Sequence, residues 1–384
     1  MIKSIEIKNF KSIKSKRFQL RNLNVLLGLN GQGKSSFIQT LLILRQSASN
    51  LKHGILKLNG TEINIGTTKD ALYQYSTGED LSIGLGFDHL EIRTMTFEYT
   101  IGSDVFKLKN EGADIYGESS ERIDFNQPLF ENNFQYLNAN RIEPQTIHKK
   151  SYTSVVTSNN IGSRGEYTVD YLETRGSEEI NFENLIHPAT TGSKNNHGLM
   201  FLDKRLSNQV KLWMREISPE IGIITTSVSS DLVMLEYEFD QRTYGKTNRF
   251  KPENVGFGIS YSLHVVVALL KARRNDLLII ENPESHIHPR GQAELGKLIA
   301  LVAENQVQII VETHSDHIVN GIRVGVKSKP DLKDRVMLFY FEKIFADLEQ
   351  YSQISDIRID QNGELSEYPD NLLSEWSNQL LNLM

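Results

Sequence analysis

The sequence holds no cysteine. Disulfides, thiolate metal sites and a cysteine nucleophile are therefore excluded. Long apolar runs are also missing. The longest, such as VVVALL and LLII, fall far short of the roughly 20 residues needed to cross a bilayer, so no membrane association is expected. No sign of charge dominates. Lys and Arg number 42 against 48 Asp and Glu, a net −6, so the chain as a whole is not a basic nucleic-acid coat. No internal repeat and no sustained heptad runs through it, which argues against a solenoid and against an inserted coiled-coil arm. The opening MIKSIEIKNFKSIKSK alternates and is charged where a signal peptide would be apolar. A cytoplasmic protein is the expectation. The 384 residues allow one large domain or two ordinary ones.

What is present centres on LNVLLGLNGQGKSSFIQTLLIL, Leu23 to Leu44. It reads as an apolar strand, a glycine loop and a helix. Gly28, Gly33, Lys34 and Ser35 stand at the spacing G-x-x-x-x-G-K-[ST] of a phosphate-binding loop. Glycines let the backbone approach phosphates and turn its N–H groups toward them. The helix start adds its positive dipole end. Lys34 would reach the β- and γ-phosphates and Ser35 would hold Mg²⁺. A chance match of four fixed positions in such a chain is expected roughly once or twice in a hundred. The flanking apolar spacing makes chance less probable still.

Around this stretch the coarse pattern is mixed. Ile2, Ile5, Ile7, Phe10 and Ile13 predict an antiparallel lead-in with one wet face. Its lysines, among them Lys3, Lys8, Lys14 and Lys16, read as a solvated face in preference to a DNA surface. LNGTEINIGTTKDAL predicts a short strand and a helix start near Thr68, and Leu81 to Tyr99 and Phe106 to Leu108 predict strands. Glu111 to Asn132 reads as an acidic loop. FQYLNANRIEP predicts a strand ending in a turn, and Lys149 to Tyr167 a mobile polar loop. Helical spacing recurs at Phe182 to Ile186 and Leu202 to Ile217. Ile221 to Phe239 predicts a hairpin turning at Ser229-Ser230-Asp231.

Three later stretches extend the site. NVGFGISYSL places two glycines before Ser260, which reads as a helix N-cap. LLIIENPESHIHP predicts a strand buried on both faces that delivers Glu281 at its carboxyl end. A carboxylate there suits Mg²⁺, directly or through water. His286 and His288 lack a nearby third ligand, so HIHP is read as packing beside the site. Leu295 to Val302 predicts a crossover helix. A further strand, Val307 to Val311, brings His314 out beside Glu281, where it could sense a γ-phosphate.

In this order the motifs resemble an ABC-type ATPase head. GLNGQGKSS resembles Walker A and NVGFGISY a degenerate signature motif. LLIIENPE resembles Walker B and VETHS the switch-histidine loop. The lead-in is similar to RecF- and SMC-type heads. ENPESHIHP and VETHSDHIVNGIR resemble the AAA-type ATPases related to the OLD family. The resemblance implies phosphate binding by Asn30, Gly31, Gly33, Lys34, Ser35 and Ser36. It implies Mg²⁺ on Ser35 and Glu281, and catalysis by Glu281, Glu284 and His314. It also implies Gly258 and Ser260 completing a partner's ATP site. Two departures stand out. About seventy residues follow His314, too few for the nuclease domain of OLD proteins, and Asp356 and Asp360 do not supply its metal site. Asn282 occupies the position of the usual catalytic glutamate, which moves that role to Glu284. ANRIEP and GSRGEY look familial, with the roles of Arg141 and Arg164 open.

The expected fold is α/β, a P-loop NTPase of ABC-head type with a mixed sheet, a β-rich lobe and a helical lobe. The expected division is a nucleotide-binding core at 1–90 and 250–345, an intervening lobe at 91–249 and an extension at 346–384. The expected function is a slow ATPase using ATP and Mg²⁺. Heads would pair as a homodimer or higher homo-oligomer around ATP and act as a switch in an antiviral complex with a separately encoded nuclease or toxin. Nucleic acid stays open as a partner. The alternatives are a non-hydrolysing scaffold, a small-molecule kinase and a RecF-like repair ATPase.

Overall fold

The computed structural model describes residues 1–76, 80–88, 90–109, 124–194, 200–241, 243, 245–370, 372–373 and 375–383. The chain forms two compact units. One comprises Met1–Glu131, Val336–Arg358 and Leu365–Met384, the other Asn132–Arg335 and Ile359–Glu364. These boundaries differ from the expected division, which grouped 250–345 with 1–90. The reason is packing within each unit. Strands of the 81–108 region pair with the amino-terminal hairpin, while the helices between 132 and 335 pack on one another.

The first unit opens with β1 (Ile2–Phe10) and β2 (Ile13–Gln19), paired antiparallel. Ile2, Ile5, Ile7, Phe10 and Ile13 are buried. Their lysines are largely engaged: Lys3 pairs with Asp88, Lys14 with Glu349 and Lys16 with Asp356. β3 (Leu23–Leu27) is buried along its whole length, as its apolar run requires. α1 (Lys34–Gln46) and the short α2 (Ala48–Leu51) follow. Next come β4 (Ile55–Lys57) and α3 (Thr68–Ala71), the latter closed by a Thr67–Asp70 capping box. The strand expected within LNGTEINIGTTKDAL reduces to the single pair Asn59–Asn64. β5 (Leu81–Phe87), β6 (Leu90–Glu98) and β7 (Val105–Leu108) complete a sheet ordered β2-β1-β5-β6-β7-β4. The acidic loop expected at 111–132 lies mostly outside the described residues.

The second unit begins with β8 (Phe134–Leu137) and β9 (Ile147–Lys149). The segment expected as a mobile loop carries a π-helical turn, Thr153–Thr157, with Val155 and Ile161 buried. The Ser151 N–H donates to Asp170 and the Arg175 side chain to the Val155 and Val156 carbonyls, so its polar groups are satisfied internally. α4 (Thr168–Arg175) follows, then the pair β10 (Gly192–Lys194) and β11 (Met200–Leu202), then α5 (Leu206–Ile217). β12 (Ile221–Ser227) and β13 (Leu232–Gln241) form the expected hairpin, flanked by β9 and β14 (Gly245–Lys246).

Then come α6 (Phe257–Leu270), β15 (Leu277–Glu281), α7 (Pro289–Ala303), β16 (Gln308–Glu312) and α8 (Asp316–Ser328). β15 lies parallel between β8 and β16, with α7 as its crossover helix. The chain returns to the first unit as β17 (Val336–Phe345), parallel to β3 and antiparallel to β18 (Gln350–Ile357). α9 (Glu375–Leu383) ends the described chain. In the first unit's core, Phe18 of β2 meets Phe37 of α1 at 4.6 Å and Phe339 of β17 at 5.2 Å, which ties the phosphate-loop helix to both sheets of that unit.

Candidate functional site

The predicted site residues fall into two sets, one in each unit. In the first unit the loop between β3 and α1 has the conformation its glycines predict. Gly33 caps α1 with φ +103°. A Cβ there would lie 2.3 Å from Ser12 Oγ and 2.4 Å from Ser352 Oγ, so only glycine fits. Ser352 Oγ donates to the Gln32 carbonyl at 2.6 Å, which fastens β18 to the loop. Lys34 is buried, its Nζ donating to the Gly28 and Leu29 carbonyls at 2.8 and 3.0 Å. The ammonium therefore sits inside the loop. No acidic side chain stands in the first turn of α1, as an anion-binding helix end requires. Asn30, Gly31 and Ser35 are exposed, and Ser36 is buried with its Oγ 3.4 Å from Ser12 Oγ.

In the second unit β15 and β16 run in register, Glu281 opposite Glu312, so Glu281 and His314 emerge at neighbouring strand ends. Glu281 is held on both oxygens. Tyr136 Oη donates to Oε1 at 2.9 Å and the Ala139 N–H to Oε2 at 3.2 Å. Burial pushes its carboxyl above the usual range, opposed by those two donors and by the charge of Arg141. Asn282 then turns the chain with φ +44°, a left-handed conformation that asparagine tolerates. Its N–H donates to the Glu312 carbonyl at 2.8 Å. Glu284 Oε1 accepts the His314 N–H at 2.8 Å. Glu284 Oε2 is buried and without a hydrogen-bond partner. Such an oxygen is an open acceptor, where buried polar atoms ordinarily have a partner.

Sequence reasoning left ANRIEP and GSRGEY without roles. Arg141 is fully buried, with Nη2 donating to the Glu281 carbonyl at 2.5 Å and Nη1 to the Asn282 carbonyl at 3.1 Å. Burial draws its guanidinium down to about 10, against the charges of Glu284 and Glu281. GSRGEY braces this segment. The Asn138 N–H donates to the Ser163 carbonyl, the Ile142 N–H to the Arg164 carbonyl, and Arg164 Nε to the Asn140 carbonyl. Only the polar-then-charged pattern after a buried strand could have flagged these residues. Their hydrogen-bond partners lie some 25 and 140 positions away in sequence.

The signature stretch departs from expectation. α6 starts at Phe257 with Gly256 as N-cap, so Ser260 lies inside the helix and not at its cap. Ser260 is 4% exposed, with Oγ 3.4 Å from the buried Tyr237 Oη. The apolar Phe257 begins the helix one turn early and rotates Ser260 onto the inner face. Gly258 is present for contact: a Cβ would meet the His286 carbonyl oxygen at 2.2 Å. The outward face carries aromatic rings instead. Phe257, 53% exposed, and Tyr261 both lie near His286, the latter at 5.2 Å. His288 caps α7, its Nδ1 accepting the Arg290 N–H. Among the described residues no cluster of three His, Asp or Glu could hold a metal ion. No described helix is long and apolar enough to cross a membrane.

Residues 23–320 match the family described as "AAA domain, putative AbiEii toxin, Type IV TA system", and residues 333–383 match a family described only as a protein of unknown function. The Old nuclease of Escherichia phage P2 is 21% identical over 383 residues, an alignment that covers 89% of this chain and 62% of that protein. The chain thus spans less than two thirds of that relative. A crystal structure of an SMC head bound to the C-terminal winged-helix domain of ScpA aligns with a TM-score of 0.51 at 13% identity, covering 92% of this chain and 98% of that one. The fold is that of an SMC-type ABC ATPase head, and the chain belongs to the AAA-domain family that residues 23–320 match.

Proposed function

We propose that the protein is an ATP-hydrolysing switch. Asn30, Gly31, Gly33, Lys34, Ser35 and Ser36 would hold the phosphates, and Ser35 with Glu281 would hold Mg²⁺, which supplies charge neutralisation at the phosphate oxygens. The buried ammonium of Lys34 within the loop and the acid-free helix start support phosphate binding there. The observation that carries hydrolysis is Glu284. One oxygen is fixed by the His314 N–H and the other is buried and unfilled, which suits an acid that orients a water. Asn282 cannot accept that water's proton, so the role passes two residues along. His314 would report the γ-phosphate through the same hydrogen bond.

Two heads would associate around ATP as a homodimer or higher homo-oligomer. Phe257, Gly258 and Tyr261 would face the partner, and Ser260 would support the helix from behind. A separately encoded effector, a nuclease or toxin of an antiviral system, would read the closed and open states. The deciding experiment is Glu284→Gln. ATP affinity should stay near the parent value while phosphate release falls by about 10²–10⁴-fold, the usual weight of a positioned base. Turnover at the parent rate would remove Glu284 from the reaction. A parent that releases no phosphate, even with its effector, would favour the non-hydrolysing scaffold that Asn282 supports.

A further inference from the structure

Arg141 is a buried charged side chain beside Glu281 and Asn282. It is fully buried, among the largest such side chains in the chain, and its Nε has no partner. Buried arginines ordinarily meet a carboxylate in a two-pronged pair. This guanidinium instead spends two donors on consecutive main-chain carbonyls, those of Glu281 and Asn282. Those carbonyls flank the left-handed Asn282 and open the turn Asn282-Pro283-Glu284-Ser285. The turn is closed by the Ser285 N–H and Ser285 Oγ, both donating to the Asn282 carbonyl. The segment bearing Arg141 also supplies the two donors on the Glu281 carboxylate, Tyr136 Oη and the Ala139 N–H. One strand end therefore holds the side chain of the first acid and the backbone that leads to the second. The positive charge lies close enough to interact with both.

We propose that Arg141 is a positioning residue for ATP hydrolysis, fixing through the Glu281 and Asn282 carbonyls the turn that aims Glu284. This rests on Glu284 being the water-orienting acid. Lysine keeps the charge and cannot span two carbonyls with a planar fork. Arg141→Lys therefore separates geometry from charge, and Arg141→Gln, which keeps a planar donor without charge, gives the complementary variant.

The test has two arms. In nucleotide-free protein, amide exchange is followed at Ser285, whose N–H closes the turn, at His314, whose N–H meets Glu284, and at Asn282, whose N–H donates to the Glu312 carbonyl. Arg141→Lys should raise their exchange by at least about tenfold while α7 and β16 keep parent protection. In the second arm ATP affinity should stay within about threefold of the parent while phosphate release drops about 100-fold. Adding Arg141→Lys to Glu284→Gln should then cost nothing further. Parent exchange and parent turnover in both Arg141 variants would overturn the proposal. So would a uniform loss of protection extending through α7 and β16, which marks a merely structural residue. If Glu284→Gln turns over normally while Arg141→Lys still loosens the turn, the assignment of Glu284 fails and the positioning geometry stands.

Discussion

Tyr136→Phe removes the hydroxyl that donates to the acid that ends β15. The ring is 8% exposed and its hydroxyl donates to Glu281 Oε1 at 2.9 Å. Phenylalanine leaves the volume almost unchanged, so no cavity term enters. What is lost is a hydrogen bond to a charged, partly buried acceptor, worth about 1.5–3 kcal/mol. The Ala139 N–H, at 3.2 Å on the other oxygen, keeps part of the solvation. A net loss of about 1–2 kcal/mol follows, or roughly 2–8 °C in the melting of a unit of this size.

The pH dependence has a definite sign. Burial already raises the Glu281 carboxyl above its unfolded value, and removing Tyr136 Oη raises it further. A raised carboxyl binds its proton more tightly when folded, so the charged form carries the penalty. The gap between Tyr136→Phe and parent should be full at neutral pH. It should shrink as pH falls through the folded carboxyl's titration toward the unfolded one. Thermal melts of both proteins from pH 8 to pH 4.5 test this. Equal melting at neutral pH, or a gap that widens on acidification, would refute the role given to that hydroxyl.

Lys34→Ala should lower ATP affinity at least about 100-fold with a parent-like melt, since the ammonium, which donates to the Gly28 and Leu29 carbonyls, is the group proposed to meet the phosphates; unchanged nucleotide binding in a fluorescence titration would remove the phosphate site. Gly258→Ala should cost about 1–3 kcal/mol in a denaturant melt, because its Cβ would overlap the His286 carbonyl; parent stability would contradict that close approach. Phe257→Arg should abolish ATP-dependent self-association in sedimentation while Ser260→Ala leaves it intact, and the reverse pattern would return Ser260 to the partner-facing role expected from the signature motif.

Much of the molecule was legible in the sequence. Period-two alternation marked β1, β5 and β6, and unbroken apolar runs marked β3, β15 and β16. Glycine spacing marked the phosphate loop. These signals are local: a strand's burial pattern and a loop's positive φ are set by residues a few positions apart. Glu281 and His314 were placed for the same reason, each standing at the end of a run whose direction is fixed by its crossover helix. What the sequence could not decide depends on partners distant along the chain. Ser260 follows two glycines and has the composition of a cap, yet Phe257 starts α6 earlier and turns the hydroxyl toward Tyr237. Lys149 to Tyr167 has loop composition, yet Asp170, Gln135 and Arg175 satisfy its backbone. Arg141 is one arginine among many in a string of letters. Only the tertiary structure brings it to the carbonyls of residues 140 and 141 positions later, where a buried guanidinium must find acceptors.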